Sequence, residues 1–363
     1  MYGFEPTDEQ AMLIGAVQKF AGKDLREAAH EADEQGAFPD GILRRGWELG
    51  ILQASIPDAY GGFGDRSAVT GALAAEELAW GDVAGALAIM TPGSFALPIL
   101  IAGTEEQKQR WLPGVVEGDW RPFVAAMIEP HFDFYSGDLR TSAQRENGSY
   151  RLKGEKTMVP FGDVAEAFLV FARLQDKTQA FLTPREAEGL VIGEADRCLG
   201  LGALPMRRVQ LNDVRIPVEN RLGGEAGFDP QTVLASANTA AVALAVGLAR
   251  AAYEYALAYA KDRQAFGVPI AQKQSIAFML AEMATEVEAA RLLAWEAAWR
   301  IDAGQDAFKT SALALTCASD MAMTVTDRAV QILGGHGYIR EHPVERWMRS
   351  GRGVPLLPGL AVV

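Results

Sequence analysis

The sequence predicts an α+β protein with an all-helical N-terminal part, a small β-sheet or barrel in the middle, and a C-terminal four-helix bundle. Three observations predict it. Residues 7 to about 118 place apolar side chains at helical spacing between polar caps. From about 120 to 225 the texture changes to short β-branched or aromatic runs separated by Gly, Asp and Pro. From 230 onward, long Ala-rich helical stretches return. The boundaries expected from this order are 1–119, 120–226 and 227–363.

The first segment, "TDEQAMLIGAVQKFAGKDL", offers Thr7 as N-cap with Gln10 three residues on, then Leu13, Val17 and Phe20 on one face. "PDAYGGFGD" reads as loop. "SAVTGALAAEELAW" and "TEEQKQRWLPGVVEG" read as helices, the second opening on Thr104. In the middle, "YRLKGEKTMV", "AEAFLVFARL", "TQAFLTP" and "RRVQLNDVRIP" alternate in part and read as strands. The last third begins with "TAAVALAVGLARAAYEYALAYAKDR". It continues with "QKQSIAFMLAEMATEVEAARLLAWEAAWRID", where Ile276, Met279, Leu280, Met283, Val287, Ala290 and Ala294 recur at helical spacing. A third helix, within "DAFKTSALALTCASDMAMTVTDRAVQILGG", stops at paired glycines. Small Ala faces on antiparallel helices favour close packing between helices or subunits.

Composition narrows the function. The 363 residues are 49% apolar and 22% charged, an ordinary globular balance. A net charge of −13, from 34 basic and 47 acidic residues, argues against a general polyanion binder such as a nucleic-acid protein. It leaves room for a local basic pocket that holds a phosphate. Cys198 and Cys317 show no metal-ligand spacing, and "MYGFEPTDEQ" does not read as a secretory leader, so a reducing cytoplasm is expected. No apolar stretch is read as reaching the roughly 20 residues of a membrane span, and no membrane partner is expected.

At "DRQAFGVPIAQKQSIAFMLAEM" and "QILGGHGYIREHPVERWMR" the sequence resembles the C-terminal domain of the acyl-CoA dehydrogenase family. "ELGILQASIPDAYGGFGD" and "GTEEQKQRWLPGVVEGD" resemble its N-terminal domain, and "LNDVRIPVENRLGG" its middle domain. The resemblance implies FAD lying across a subunit interface. Its isoalloxazine would sit in one subunit and its adenosine diphosphate half on the C-terminal helices of a neighbour. It also implies a glutamate that takes the α-proton of an acyl thioester while the flavin takes the β-hydride. An electron-transfer flavoprotein would be the reoxidising partner.

By this resemblance, Arg263 and Phe266 of "RQAFG", Gln274 of "QKQS", and Gln331, Gly334 and Gly335 of "QILGG" match positions that hold the neighbour's FAD. A guanidinium pairs with pyrophosphate through a fixed fork of donors, and glycines let a backbone approach a phosphate closely. Taken singly, Arg263 reads equally as a cation at a helix end and the glycines as a helix stop; all six in register favour the cofactor reading. His336 reads as a loop or core histidine rather than a base.

The flavin-facing positions depart from the family. In "IEPHFDFY", Glu129 and Pro130 are kept, but Ile128 stands for a threonine, His131 and Asp133 for glycines, Phe134 for a serine and Tyr135 for an aspartate. In "MVPFG", Met158 stands for a tryptophan and Pro160 for a threonine. Each buried flavin edge left without its partner loses about 1–3 kcal/mol. In the final stretch, "RSGRGVPLLPGLAVV", Pro358 falls on the family's catalytic glutamate. Proline offers neither a carboxylate, typically worth about 10²–10⁴-fold as a general base, nor an N–H to hold the thioester oxygen, worth about 10²–10³-fold. Polar residues that touch FAD in relatives lie beyond Val363 in the family pattern and have no counterpart in this sequence. The family's alternative base position is Ala237, followed by Asn238 where an arginine is usual. Glu129, Asp133, Asp138 and Glu341 are the carboxylates that recruitment would have to draw on.

The resulting expectation is a subunit without its own base or flavin pocket, sharing FAD in an α2β2 complex with a homologous catalytic subunit. The acyl-CoA substrate, from fatty acid or sterol side-chain β-oxidation, would sit mainly in that partner. Two alternatives stand beside it: a self-sufficient homotetrameric dehydrogenase with a relocated base, and a non-redox acyl-CoA-binding protein on the same fold.

Overall fold

The computed structural model describes residues 6–363. Six helices come first: α1 (Asp8–Phe20), α2 (Arg26–Gln35), α3 (Asp40–Trp47), α4 (Ala68–Gly81), α5 (Val83–Ala102) and α6 (Glu105–Val116). The expected capping box at Thr7 forms, and the expected cap Thr104 forms a box of its own. Thr7 and Gln10 exchange backbone-to-side-chain bonds at the start of α1, and Thr104 and Gln107 do so at the start of α6. Gln107 is buried and also donates to the carbonyls of Glu219 and Arg221, both at 2.7 Å, so this helix start is tied to the far end of the middle domain. Thr104→Ala is expected to cost about 1 kcal/mol, read as a lower urea midpoint at unchanged slope.

The expectation about apolar stretches needs correction. Val83–Ala102 spans 20 residues without a charge, and Pro230–Asp262 carries an equally apolar window; both are long and apolar enough to cross a membrane. Within the fold they are core helices, with 83% and 94% of those windows buried. In the first, Pro92 and Pro98 interrupt the apolar pattern, and proline ordinarily ends a helix by removing a donor. Here burial on nearly every side outweighs local propensity.

The middle sheet holds β1 (Phe123–Ala126), β2 (Ser142–Glu146), β3 (Ser149–Pro160), β4 (Ala167–Leu174), β5 (Lys177–Pro184), β6 (Leu190–Ala195) and β7 (Met206–Pro217). The order is β1-β4-β2-β3-β7-β6, with β5 beside β4. β1 and β4 run parallel, whereas the long β3 and β7 pair antiparallel with irregularities at Gly154 and between Lys156 and Val159. The second irregularity puts Met158 at φ +53, a left-handed conformation uncommon outside glycine. It aims residues 157 and 158 off the ladder.

The C-terminal domain has α7 (Pro230–Asp262), a two-residue hairpin of β8 (Gln264–Ala265) and β9 (Val268–Pro269), α8 (Gln274–Asp302), α9 (Phe308–Leu333) and the short α10 (Val344–Gly351). On α8, Leu280, Met283, Val287, Ala290 and Ala294 are buried as the periodicity predicts, while Ile276 and Met279 are half-buried. An ion-pair network bolts this domain to the first. Arg250 of α7 reaches Glu76 and Glu77 of α4, and Arg291 of α8 reaches Glu76 as well. The segment 354–363 then folds back, so that Leu357 and Leu360–Val363 are buried against the other two domains.

Candidate functional site

The two positions singled out as possible bases meet in space. Pro358, from the returning tail, and Ala237, from α7, line one small cavity with Ser94 and Pro98 of α5 and Ala125 and Met127 at the end of β1. No lining residue ionises. The one hydroxyl there is already committed, because Ser94 Oγ donates to the Thr91 carbonyl at 2.7 Å and accepts from Ala125 N–H at 3.1 Å. The cavity therefore has no group that takes a proton near neutral pH.

The carboxylates considered as recruits are engaged elsewhere. Glu129 is buried and accepts from Lys156 Nζ at 2.9 Å and from the backbone N–H groups of Thr141 and Arg140. Burial pushes its carboxyl up, but the ammonium of Lys156 and the Thr141 donor outweigh it and hold the value at about 2. A group so acidic is a poor base. Lys156 is wholly buried; desolvation pulls its ammonium down to about 8 against the restoring pull of Glu129. Asp133 is exposed and bonds to Arg140 and His131, while Asp138 and Glu341 are exposed to solvent.

The flavin-facing substitutions divide into buried and exposed side chains. Ile128 is buried directly against Gly359: a Cβ added there would lie 2.5 Å from Ile128 Cγ1. The Met158 N–H, turned outward by the irregularity in β3, donates to Asp196 at 2.6 Å, and Thr157 Oγ1 donates to the same carboxylate at 2.7 Å. Arg208 Nε neutralises Asp196 at 3.2 Å. His131 bridges two carboxylates, with Nε2 at 3.0 Å from Glu129 and Nδ1 at 2.9 Å from Asp133. Phe134 packs edge-on to that imidazole, and Phe132 and Tyr135 face solvent. Sequence reasoning missed the part played by Asp196, because nothing in its local stretch, just after β6, signals that it meets the turned backbone of β3.

The six nucleotide-face candidates lie at one end of the helical bundle, where α7 ends, α8 begins and α9 ends. Arg263 caps α7, Phe266 follows in the hairpin, Gln274 opens α8, and Gln331 and the two glycines close α9. Phe266 is 96% exposed, with Lys273 Nζ 5.5 Å from its ring centre. Arg263, Gln274, Gln331 and Gly335 are exposed, and Arg263 forms no ion pair among the described residues. Nothing stands within 4 Å of a Cβ added at Gly334 or Gly335, so the backbone there is bare. His336 belongs to this exposed loop; its Nδ1 bonds the Tyr259 hydroxyl at 2.7 Å and its ring stacks on His342.

These features define an acyl-CoA dehydrogenase fold, and the comparisons agree. Residues 7–119, 126–214 and 230–360 match the N-terminal, middle and C-terminal domains of acyl-CoA dehydrogenase. An acyl-CoA dehydrogenase of Bacillus subtilis is 34% identical over 97% of this chain and 95% of its own length. The butyryl-CoA dehydrogenase of Megasphaera elsdenii superposes with a TM-score of 0.89 at 33% identity, covering 98% of this chain and 96% of that one. A glutaryl-CoA dehydrogenase of Mycobacterium smegmatis in complex with FADH2 gives 0.84 at 26% identity, over 96% and 90%. The chain belongs to the acyl-CoA dehydrogenase family.

Proposed function

We propose that this chain is the non-dehydrogenating subunit of a heteromeric, FAD-dependent acyl-CoA dehydrogenase, and that it completes the adenosine side of a partner subunit's FAD site. The observation that carries the reading is the cavity shared by Pro358 and Ala237: both positions from which this family draws its base open onto it, and nothing there accepts a proton. The flavin side supports it, since Ile128 packs on Gly359 and the Met158 N–H is already committed to Asp196.

The nucleotide side fits the opposite role. Arg263, without an ion pair among the described residues, has a guanidinium suited to a pyrophosphate, and Gly334 and Gly335 bare their backbone to an approaching phosphate or adenine edge. Phe266, Gln274 and Gln331 complete that face. Bound FAD supplies the hydride acceptor of the reaction; this chain's residues only hold and orient its distal half. The acyl thioester then belongs mainly to the partner, which carries the base, and an electron-transferring flavoprotein is the class of protein that reoxidises the complex.

The experiment is to purify the chain alone and together with a homologous catalytic subunit from the same source. The lone chain is expected to be colourless and inactive, and the mixed complex active, with one FAD for every two chains. A lone chain that retains one FAD per subunit and oxidises acyl-CoA overturns the proposal.

A further inference from the structure

The exposed end of the bundle holds a group that the six nucleotide-face residues leave unexplained. His336 follows Gly335 directly, and its Nδ1 lies 2.7 Å from the Tyr259 hydroxyl. His342 repeats the arrangement on the preceding turn of α7, with its Nδ1 2.7 Å from the Tyr255 hydroxyl. The two imidazoles stack, with 5.3 Å between ring centres and 18° between planes, and Tyr259 stands edge-on to both. Tyr255 packs edge-on against the buried Trp347. Tyrosines four apart share one helix face, so α7 fixes both rings. Gly337 holds the loop down on α9, where an added Cβ would collide with the Val330 carbonyl.

This construction leaves one edge of each ring unused. Neither Nε2 forms a hydrogen bond among the described residues, and His336 is exposed whereas His342 is half-buried. Near-parallel rings do not aim two lone pairs at one ion, so metal chelation does not explain the pair. Tyr259 links His336 to Arg263, because its carbonyl accepts from the Arg263 N–H at 2.8 Å. The imidazole thus stands one turn before that guanidinium and beside the bare backbone of Gly334 and Gly335. The charges around it leave the imidazole unpaired. Arg340 pairs with Glu34 of α2, Glu345 with Arg349 on α10, and Arg328 of α9 with Glu282. Lys261, Asp262, Asp327 and Glu341 are exposed and form no ion pair among the described residues.

We infer that His336 is a second cation of the nucleotide face, switched on by acid, and that its Nε2 meets a phosphate of the dinucleotide beside Arg263. The inference rests on the shared-cofactor reading and adds regulation by pH to it. Imidazole is the side chain whose charge changes between pH 8 and 6. Two imidazolium rings this close would repel, so the stack holds one charge, and the exposed ring of His336 is where solvent supports it. The Tyr259 hydroxyl serves both states, donating to a neutral Nδ1 and accepting from a protonated one.

Flavin retention by the mixed complex at pH 6 and pH 8, read as absorbance after gel filtration, tests this. The wild type is expected to retain flavin about fivefold more tightly at pH 6, the upper end for an exposed charge pair. His336→Gln never charges and is expected to stay at the pH 8 level at both values. His336→Arg is always charged and is expected to hold the pH 6 level at both. A purely structural role would be lost in both variants, so weakened retention by His336→Arg overturns the inference. So does a pH dependence that survives in His336→Gln, and if Arg263→Ala still releases flavin the shared-cofactor reading stands without it. Full retention by Arg263→Ala at both pH values overturns that reading, and the role of His336 falls with it.

Discussion

Lys156→Met is expected to destabilise the folded chain by about 3–5 kcal/mol, the range found when one member of a buried ion pair is removed. The lysine is fully buried, and its Nζ donates to Glu129 Oε1 at 2.9 Å and to the Met127 carbonyl at 3.0 Å. Without the ammonium, the Glu129 carboxylate remains buried with only backbone donors and His131 to balance it. Glu129→Gln is expected to be milder. Its amide oxygen keeps only one of the Thr141 and Arg140 N–H bonds, which go to different oxygens of the carboxylate, but the stranded lysine can shed its proton instead of staying charged.

Titration sharpens that comparison. Glu129 at about 2 lies below an ordinary carboxyl, so the folded state binds its proton less readily than the unfolded chain. Its contribution is present above the unfolded value near 4.3 and is lost as the pH falls towards 2. Lys156 at about 8 lies below the ordinary 10.5, so between those values the unfolded chain binds more protons and stability rises with pH. Urea midpoints measured from pH 7 to 10.5 are therefore expected to climb across that window in the wild type and to lose the climb in Lys156→Met. A midpoint equally flat in both proteins, or a loss under about 1 kcal/mol, would show that this pair does not anchor the middle domain.

Much of this fold is legible in the sequence wherever the cause is local. Thr7 with Gln10 and Thr104 with Gln107 form their boxes because cap and helix lie within one turn. The buried stripe of α8 follows from spacing alone. Glu129, kept from the family pattern, is bonded by the Thr141 N–H at 2.8 Å. Where the cause is remote, the sequence is silent. Nothing near Pro92 or Pro98 announces a continuous helix, which forms because neighbours from all three domains bury it. Met158 adopts a left-handed conformation whose partner, Asp196, comes from beyond β6. Contact between Ile128 and Gly359, the neighbour of Pro358, closes the flavin-facing stretch onto the tail, and only folding brings the two together.

That closure gives the second large effect its form, as a contrast between two faces of one molecule. In the mixed complex, Arg263→Ala is expected to reduce flavin retention by about 10–100-fold, the worth of a charge-assisted pair at roughly 1.5–3 kcal/mol. Arg263→Lys keeps the charge but loses the planar fork, so an intermediate loss is expected. Both are read from flavin absorbance after gel filtration, with the secondary structure of the complex as control, because Arg263 lies exposed at a helix end and contributes little to folding. Pro358→Glu should behave in the opposite way. It restores a carboxylate where the family keeps its base, yet the lone chain is expected to stay colourless and inactive, since Ile128 still rests on Gly359 and Asp196 still holds the Met158 N–H. Full flavin retention by Arg263→Ala would remove the nucleotide face from the argument. Flavin uptake and acyl-CoA oxidation by the isolated Pro358→Glu chain would show that this contact opens, and that a missing base alone had kept this subunit silent.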